Sequence, residues 1–433
     1  MTFKFNENLL QYIWENQLFD KTELKTAKGE PLQVINPGLL NTNDGPDFQN
    51  AKIKIGKIYH HGSVEIHINS KDWNTHGHQN NKNYNGVILH VCYNVTHQGY
   101  RNDGTPVPSL SIGKRLNEDL LVKYQNMMKN QAFIPCDKFI KTLNSISKTN
   151  WIERMAVERI ETRCKEFSML LEEYGGDWNQ MFYTVLLRSF GMPLNQLAFE
   201  EIAKKISYKI LKQNHESINR VEGLLFGVAG LLNEDLEDSH YTLLKREWHF
   251  LKSKYQLDTI STPLRFGKTR PGNLPQIRIA QFCSLIHHSP EIFEYALILP
   301  KINDLEKLFF FDLPSFWDSH YTFNKKSVIR KKVISKTFIN HLIINAISPF
   351  TFYYEKTKIS EKTSVAISYL TQIKAEQNSK IKQWELVGIK CSNALTSQGL
   401  LHLYKNYCKN KKCLNCNWGK KFLHRNNEIN KKY

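Results

Sequence analysis

Two kinds of hydrophobic periodicity meet near Cys136, and that change of texture constrains the fold more than any other feature of the sequence. Ahead of it, Ala51, Ile53 and Ile55 alternate with Lys52 and Lys54, the period of two that marks a half-covered strand. Val64, Ile66 and Ile68 alternate in the same way with Ser63, Glu65, His67 and Asn69. The stretch from Val87 to Val95 is apolar on both faces, as expected of a covered central strand. A helix precedes these strands, with Leu9, Leu10, Ile13, Trp14 and Leu18 at helical spacing and Asn6 as its N-cap. A hairpin is expected between them, with Leu24 to Thr26 and Leu32 to Ile35 as its strands and Asn36-Pro37-Gly38 ending it. The polar stretch from Ser70 to Gly86 has room for only a short helix, and Arg101 to Pro108 reads as a loop or an exposed edge.

After Cys136 the apolar residues recur at three and four. Helices are predicted over Trp151 to Glu173, Trp178 to Phe190, Leu194 to Ile206 and Ile218 to Leu232, then Tyr241 to Tyr255, Gln276 to His288 and Thr363 to Trp384. The predicted fold class is therefore α+β: a small N-terminal mixed-sheet domain over 1–135, a helical domain over 136–300, and a helical C-terminal region over 301–433 that carries a cysteine cluster.

Composition narrows the functional classes. With 433 residues, 41 % of them hydrophobic, the chain can bury more than one core and is not a disordered polyelectrolyte. No apolar run approaches the roughly 20 residues of a membrane helix, and no signal-peptide pattern opens the chain. Eight cysteines scattered along such a length point to reduced thiols and a cytoplasmic address. The net charge of +18 favours a polyanionic partner, nucleic acid first, because neutralising phosphates releases counterions. The alternative is a sequence rich in Lys, Asn and Ile throughout, whose charge is simply solvated.

Chemistry concentrates between Asp47 and His90. Gly45-Pro46-Asp47-Phe48 leads into one strand, and Glu65 and His67 share a face of the next. A hairpin joining those strands brings two carboxylates together, and hard oxygen donors beside each other suit Mg²⁺ or Mn²⁺. Such an ion activates water and stabilises charge on a phosphate. The arrangement resembles the PD-(D/E)-x-K nuclease superfamily, in which a helix precedes a sheet, an Asp opens one strand, and an acid and a Lys sit two apart on the next. Pro46, Asp47 and Glu65 match that pattern, whereas His67 stands where Lys is usual and Lys71 is the nearby substitute. The resemblance implies Asp47 and Glu65 as metal ligands and His67 as the group that orients or activates water. The rival reading of Glu65 and His67 is the solvated face of an antiparallel strand. His76 and His78 are expected to contact phosphate with Lys71, to support the carboxylates by hydrogen bonds, or to form a Zn²⁺ site with His67 and His90.

Asn36-Pro37-Gly38, Gly45-Pro46-Asp47-Phe48, Val64-Glu65-Ile66-His67, Asp72-Trp73, Ile88-Leu89-His90-Val91 and Arg270-Pro271-Gly272-Asn273-Leu274-Pro275 occur in this order. Together they resemble the bacterial family catalogued as domain of unknown function 2851, which implies no established activity.

Cys408-x₄-Cys413-x₂-Cys416 has the spacing of thiolates that converge on one ion, with Zn²⁺ the expected metal. Cys391, His402 and His424 are the candidates for its fourth ligand, and an iron–sulfur cluster would require a fourth cysteine. Arg270 and Arg278 are candidate phosphate contacts beside a turn-rich segment. Basic clusters at Lys325, Lys326, Arg330, Lys331 and Lys332, and at Lys409, Lys411, Lys412, Lys420 and Lys421, add to the case for nucleic acid. Three functions follow: a metal-dependent nuclease, a non-catalytic nucleic-acid-binding protein on a nuclease-like fold, and a zinc-dependent hydrolase built on the histidines.

Overall fold

The period-two segments assemble into a six-stranded mixed sheet, seen in a computed structural model that describes residues 6–267, 269–299, 301–358 and 364–424. Its strands are β1 (Leu32–Asn36), β2 (Leu39–Leu40), β3 (Phe48–Ile55), β4 (Ile58–Asn69), β5 (Val87–Asn94) and β6 (Ser109–Ser111). The order is β1-β3-β4-β5-β6, with β2 also on β3. β1, β2 and β4 pair antiparallel with β3, whereas β5 and β6 continue the sheet in parallel. A parallel step needs a crossover. Ser70 to Gly86 supplies it between β4 and β5, with α2 (Asp72–Thr75) and two 3₁₀ turns.

α1 (Glu7–Glu15) buries Leu9, Leu10, Ile13 and Trp14 completely, and the Trp14 indole N–H donates to Pro37 O at 3.0 Å. Pro37 is followed by Gly38, whose φ of +93° and closeness to β3 both exclude a side chain; a Cβ there would lie 2.7 Å from Gln49 O. The hairpin expected over Leu24–Ile35 is reduced to one bridge, Lys25 with Pro31. Lys25 and Pro31 are flanked by Thr26 N on Glu30 O at 2.9 Å and Leu32 N on Leu24 O at 2.8 Å, and from Leu32 onward β1 pairs with β3, Leu32 opposite Ile55. The short β6, following Pro106 and Pro108, was not expected.

Among the described residues, those up to Asn144 and those from Tyr404 onward form one compact unit, and Ser145–Leu403 form another. The C-terminal segment with the cysteine cluster thus groups with the sheet, where the sequence suggested a separate third region. The first unit also contains α3 (Glu118–Lys129), α4 (Asp137–Ile140) and a terminal helix, Asn417–His424.

The second unit is helical. It opens with α5 (Ser145–Glu173), α6 (Trp178–Phe190) and α7 (Met192–Lys205), followed by Ile218–Val228, Ser239–Tyr255 and Pro275–His288 among others. Phe182, Tyr183, Phe190, Phe199, Phe282 and Trp317 are buried in its core. The expected helix from Thr363 to Trp384 is two helices, Val365–Gln372 and Ser379–Leu386; Thr363 itself lies outside the described residues. The break has a local cause: the Asn378 side chain accepts from Lys380 N and Ile381 N at 3.0 Å each and so starts a new helix. A small two-stranded sheet, His320–Thr322 with Lys325–Lys326, was also not foreseen. The architecture is α+β, a mixed sheet followed by a large helical region. Among the described residues, no helix is long and apolar enough to cross a membrane.

Candidate functional site

One irregularity in the sheet decides where Asp47 points. Along β3 and β4 the ladder pairs Ile53 with His60, Lys52 with His61 and Ala51 with Gly62, but then Phe48 with Val64. β3 therefore carries one extra residue, and Asn50 within it has a φ of +58°. Continued one step, the shifted register sets Asp47 opposite Glu65. Without the bulge Asp47 would face Ile66, and its side chain would project from the other side of the sheet. On the far side of β4, parallel pairing sets Glu65 beside His90 and His67 beside Cys92.

The side chains close into one network. Asp47 Oδ1 accepts from Gln11 Nε2 at 2.8 Å, and Oδ2 accepts from Ile66 N at 3.0 Å. The Asp47 N–H donates to Glu65 Oε2 at 3.0 Å. The other Glu65 oxygen lies 3.3 Å from His78 Nε2 and 3.5 Å from His67 Nε2. His67 Nδ1 is 2.8 Å from His90 Nε2, and its Nε2 is 3.1 Å from His76 Nδ1. Glu65 is only 5 % exposed and His67 only 1 %, so this is not the solvated face of a strand.

The crossover delivers the remaining imidazoles. Trp73 is fully buried and donates its indole N–H to Tyr100 O at 2.8 Å, which anchors α2. Gly77, at a φ of +76°, turns the chain between His76 and His78 in a conformation that favours glycine. His78 then stacks on Tyr84 with ring centroids 3.8 Å apart. His67, His76 and His78 each present one nitrogen within 4.8 Å of the others, and Glu65 faces His78 Nε2 at 3.3 Å.

Electrostatics follows from burial. Burial, and then the neighbouring Glu65 carboxylate, pushes the Asp47 carboxyl up to about 7. Burial likewise pushes Glu65 up to about 7, against the opposing hydrogen bond from Asp47 N. The imidazoles move the other way, His67 down to about 2 and His90 down to about 3, again mainly through burial. His78 is lowered for the same reason. At neutral pH His67, His78 and His90 are neutral rings beside two acids that gain from sharing either a proton or a cation.

Asp47, Glu65, His67, His76, His78 and His90 are thus brought together, as the sequence suggested. Two members were missed. Glu7 on α1 is raised by burial, accepts a hydrogen bond from the Ile68 backbone, and interacts with His76, Asp72, Asp47 and Glu65. Gln11, one turn on, holds Asp47. Their signal was present as two polar residues four apart, Glu7 and Gln11, on one side of a helix whose Leu9, Leu10, Ile13 and Trp14 are buried.

Lys71 is exposed at the start of α2. Arg270 and Arg278 belong to the second unit. Arg270 is exposed, but Arg278 is buried: its guanidinium donates to Gln281 Oε1 at 2.7 Å and lies 3.3 Å from the Phe338 ring centroid. Pro275–His288 is covered around most of its surface, so Arg278 packs inward as a structural group and is not presented to a phosphate. Of the basic clusters, Lys325 and Lys326 are exposed, while Lys332 is buried and donates to Asp318 O at 2.8 Å.

The model of one family, described as "Protein of unknown function (DUF2851)", matches residues 7–379. No curated protein and no solved structure matches the chain.

Proposed function

Because the chain belongs to the DUF2851 family, whose description names no activity, we propose from the site alone that it is a divalent-metal-dependent phosphodiesterase acting on nucleic acid. The observation that carries this reading is the pair of half-buried Asp47 and buried Glu65, facing each other across the bulged ladder with the His67 imidazole beside them. Two acids that burial, with nearby acidic charge from Glu65 on Asp47 and from Glu7 on both, pushes up to about 7 gain most from a cation between them. The donor set of acidic oxygens with imidazole nitrogens fits Mn²⁺ better than Mg²⁺, which prefers oxygen and water alone. An ion held there would neutralise phosphate charge and acidify water.

The protein's own residues do the rest. His90 holds His67 at Nδ1, and Nε2, between His76 Nδ1 and Glu65, is the atom with which the neutral ring would orient a water. Gln11 and the Ile66 N–H fix both Asp47 oxygens. Lys71 and His76, both exposed, are the groups at hand to meet a phosphate, and the +18 charge draws the polyanion in. With no disulfide among its eight cysteines, the chain suits the reducing cytoplasm.

A second reading rests on the histidine trio, whose ring nitrogens lie within 4.8 Å of one another: a zinc-dependent hydrolase with His67, His76 and His78 as ligands. Cleavage assays separate the two. Single- and double-stranded DNA and RNA are incubated with the protein and Mn²⁺, Mg²⁺ or Zn²⁺. The nuclease reading expects Mn²⁺-dependent cleavage that Asp47→Ala abolishes while salt-dependent binding survives. Undiminished cleavage by that variant refutes it. Zn²⁺-dependent activity lost on His76→Ala favours the second reading. Salt-dependent binding without cleavage under any metal leaves a non-catalytic nucleic-acid-binding protein.

A further inference from the structure

The first unit holds a second group of ligand-bearing side chains, independent of the Asp47 pocket. Cys413–Asn415 forms a 3₁₀ turn, with Cys416 N on Cys413 O at 3.2 Å. Residues three apart eclipse in that geometry, so the Cys413 and Cys416 thiols fall on the same side. Lys411, at a φ of +50°, turns the chain between Cys408 and Cys413, with its N–H on Cys408 O at 3.1 Å. The Lys411 ammonium donates to Met128 O, which ties this loop to the end of α3.

A segment far away in sequence packs onto the same loop. Phe133 stacks on Tyr404 with centroids 4.6 Å apart, and Phe139 meets Phe422 at 5.1 Å. Cys136 sits midway between these two anchors, buried at the start of α4, while Asn130 Nδ2 holds Pro135 O at 3.0 Å. Cys413 and Cys416 are buried as well. Of the ligands considered from sequence, Cys391 and His402 belong to the second unit, where His402 Nε2 lies 3.2 Å from Glu158 Oε1. His424 Nε2 is engaged with Tyr12 Oη at 2.7 Å.

We propose that Cys136, Cys408, Cys413 and Cys416 form a four-thiolate centre for a soft metal, Zn²⁺ or an iron–sulfur cluster, with Cys136 the ligand that spacing alone does not reveal. Cys136, Cys413 and Cys416 are buried and Cys408 is half-buried, so thiolates there are poorly solvated. Thiolates that repel one another in a buried site are stabilised together by a cation. All of Ser145–Leu403 lies between Cys136 and Cys408 in sequence, so such a centre closes a very long loop and staples the end of the chain to α4.

The test uses the full chain, purified without oxygen and analysed for zinc, iron and acid-labile sulfide. Before analysis, one portion is reconstituted with Zn²⁺ and another with Fe²⁺ and sulfide. About one zinc per chain identifies the first form, and iron with sulfide and a visible charge-transfer absorption identifies the second. Cys136→Ser is expected to retain less than about a tenth of the metal, and Cys391→Ser to retain all of it. X-ray absorption on the loaded wild type reads the ligands without any variant, and four protein thiolates are expected. A wild type that takes up neither metal, or a centre with three protein thiolates and a nitrogen, overturns the proposal.

Discussion

Replacing Glu65 by Gln keeps the side-chain volume and an acceptor for the Asp47 N–H while removing a charge, so its effect on stability must depend on pH. In the metal-free protein burial raises the Glu65 carboxyl from 4.5 to about 7. In that window the folded chain holds a proton that the unfolded chain has released, so stability falls as pH rises through it. Below 4.5 both states are protonated and the group contributes nothing. At 1.36 kcal/mol per tenfold change in proton affinity, the loss is about 3 kcal/mol once the pH passes 7. The amide does not titrate and escapes that loss, although its own burial costs about 1–3 kcal/mol unless His67 and His78 accept its N–H groups. We expect Glu65→Gln to gain about 1–3 kcal/mol on the wild type between pH 5 and pH 8. Removing the charge also relieves Asp47, for which Glu65 is the second cause of its rise, and this acts in the same direction. Urea unfolding with a chelator present, at several pH values, measures the difference. Excess Mn²⁺ should reverse the order, since ligand at 100 times its Kd stabilises the wild type by about 2.7 kcal/mol. A stability difference that stays constant from pH 5 to pH 8 would refute the reasoning.

Three further outcomes follow from the same geometry. His67→Ala should lower Mn²⁺-dependent cleavage by about 100-fold or more in single-turnover assays, and an unchanged rate removes His67 from the mechanism. Mn²⁺ affinity should weaken below pH 7, about tenfold per pH unit for each proton displaced from Asp47 and Glu65; calorimetry at pH 6 and pH 8 reads this, and equal affinities would contradict it. Gly38→Ala should destabilise the protein by about 1–3 kcal/mol, because its φ of +93° and the 2.7 Å approach to Gln49 O leave no room for a side chain. An unchanged denaturation midpoint would sink that argument.

The strands that carry the site were legible because one residue in two is apolar along β3 and β4, and that period alone placed Glu65 and His67 on one face. The bulge was not legible. It depends on a single positive φ at Asn50, which leaves no mark on the alternation, yet it sets Asp47 opposite Glu65. Glu7 and Gln11 escaped notice because a polar pair on a helix becomes part of a site only through the tertiary packing of α1 against the sheet. Arg278 shows the opposite failure. Its charge suggested a phosphate contact, but the helix around it is buried and an aromatic ring takes the guanidinium. Cys136 lay outside any local spacing rule, since its neighbours Cys408, Cys413 and Cys416 come from the other end of the chain.

Whether a divalent cation binds between the Asp47 and Glu65 carboxylates within reach of an imidazole can be read directly by Mn²⁺ electron paramagnetic resonance on the full chain. The account predicts a tight site whose signal carries nitrogen coupling from a histidine ring and which Asp47→Asn abolishes. A wild-type chain that binds no Mn²⁺ tightly, or a site that survives Asp47→Asn undiminished, would contradict it.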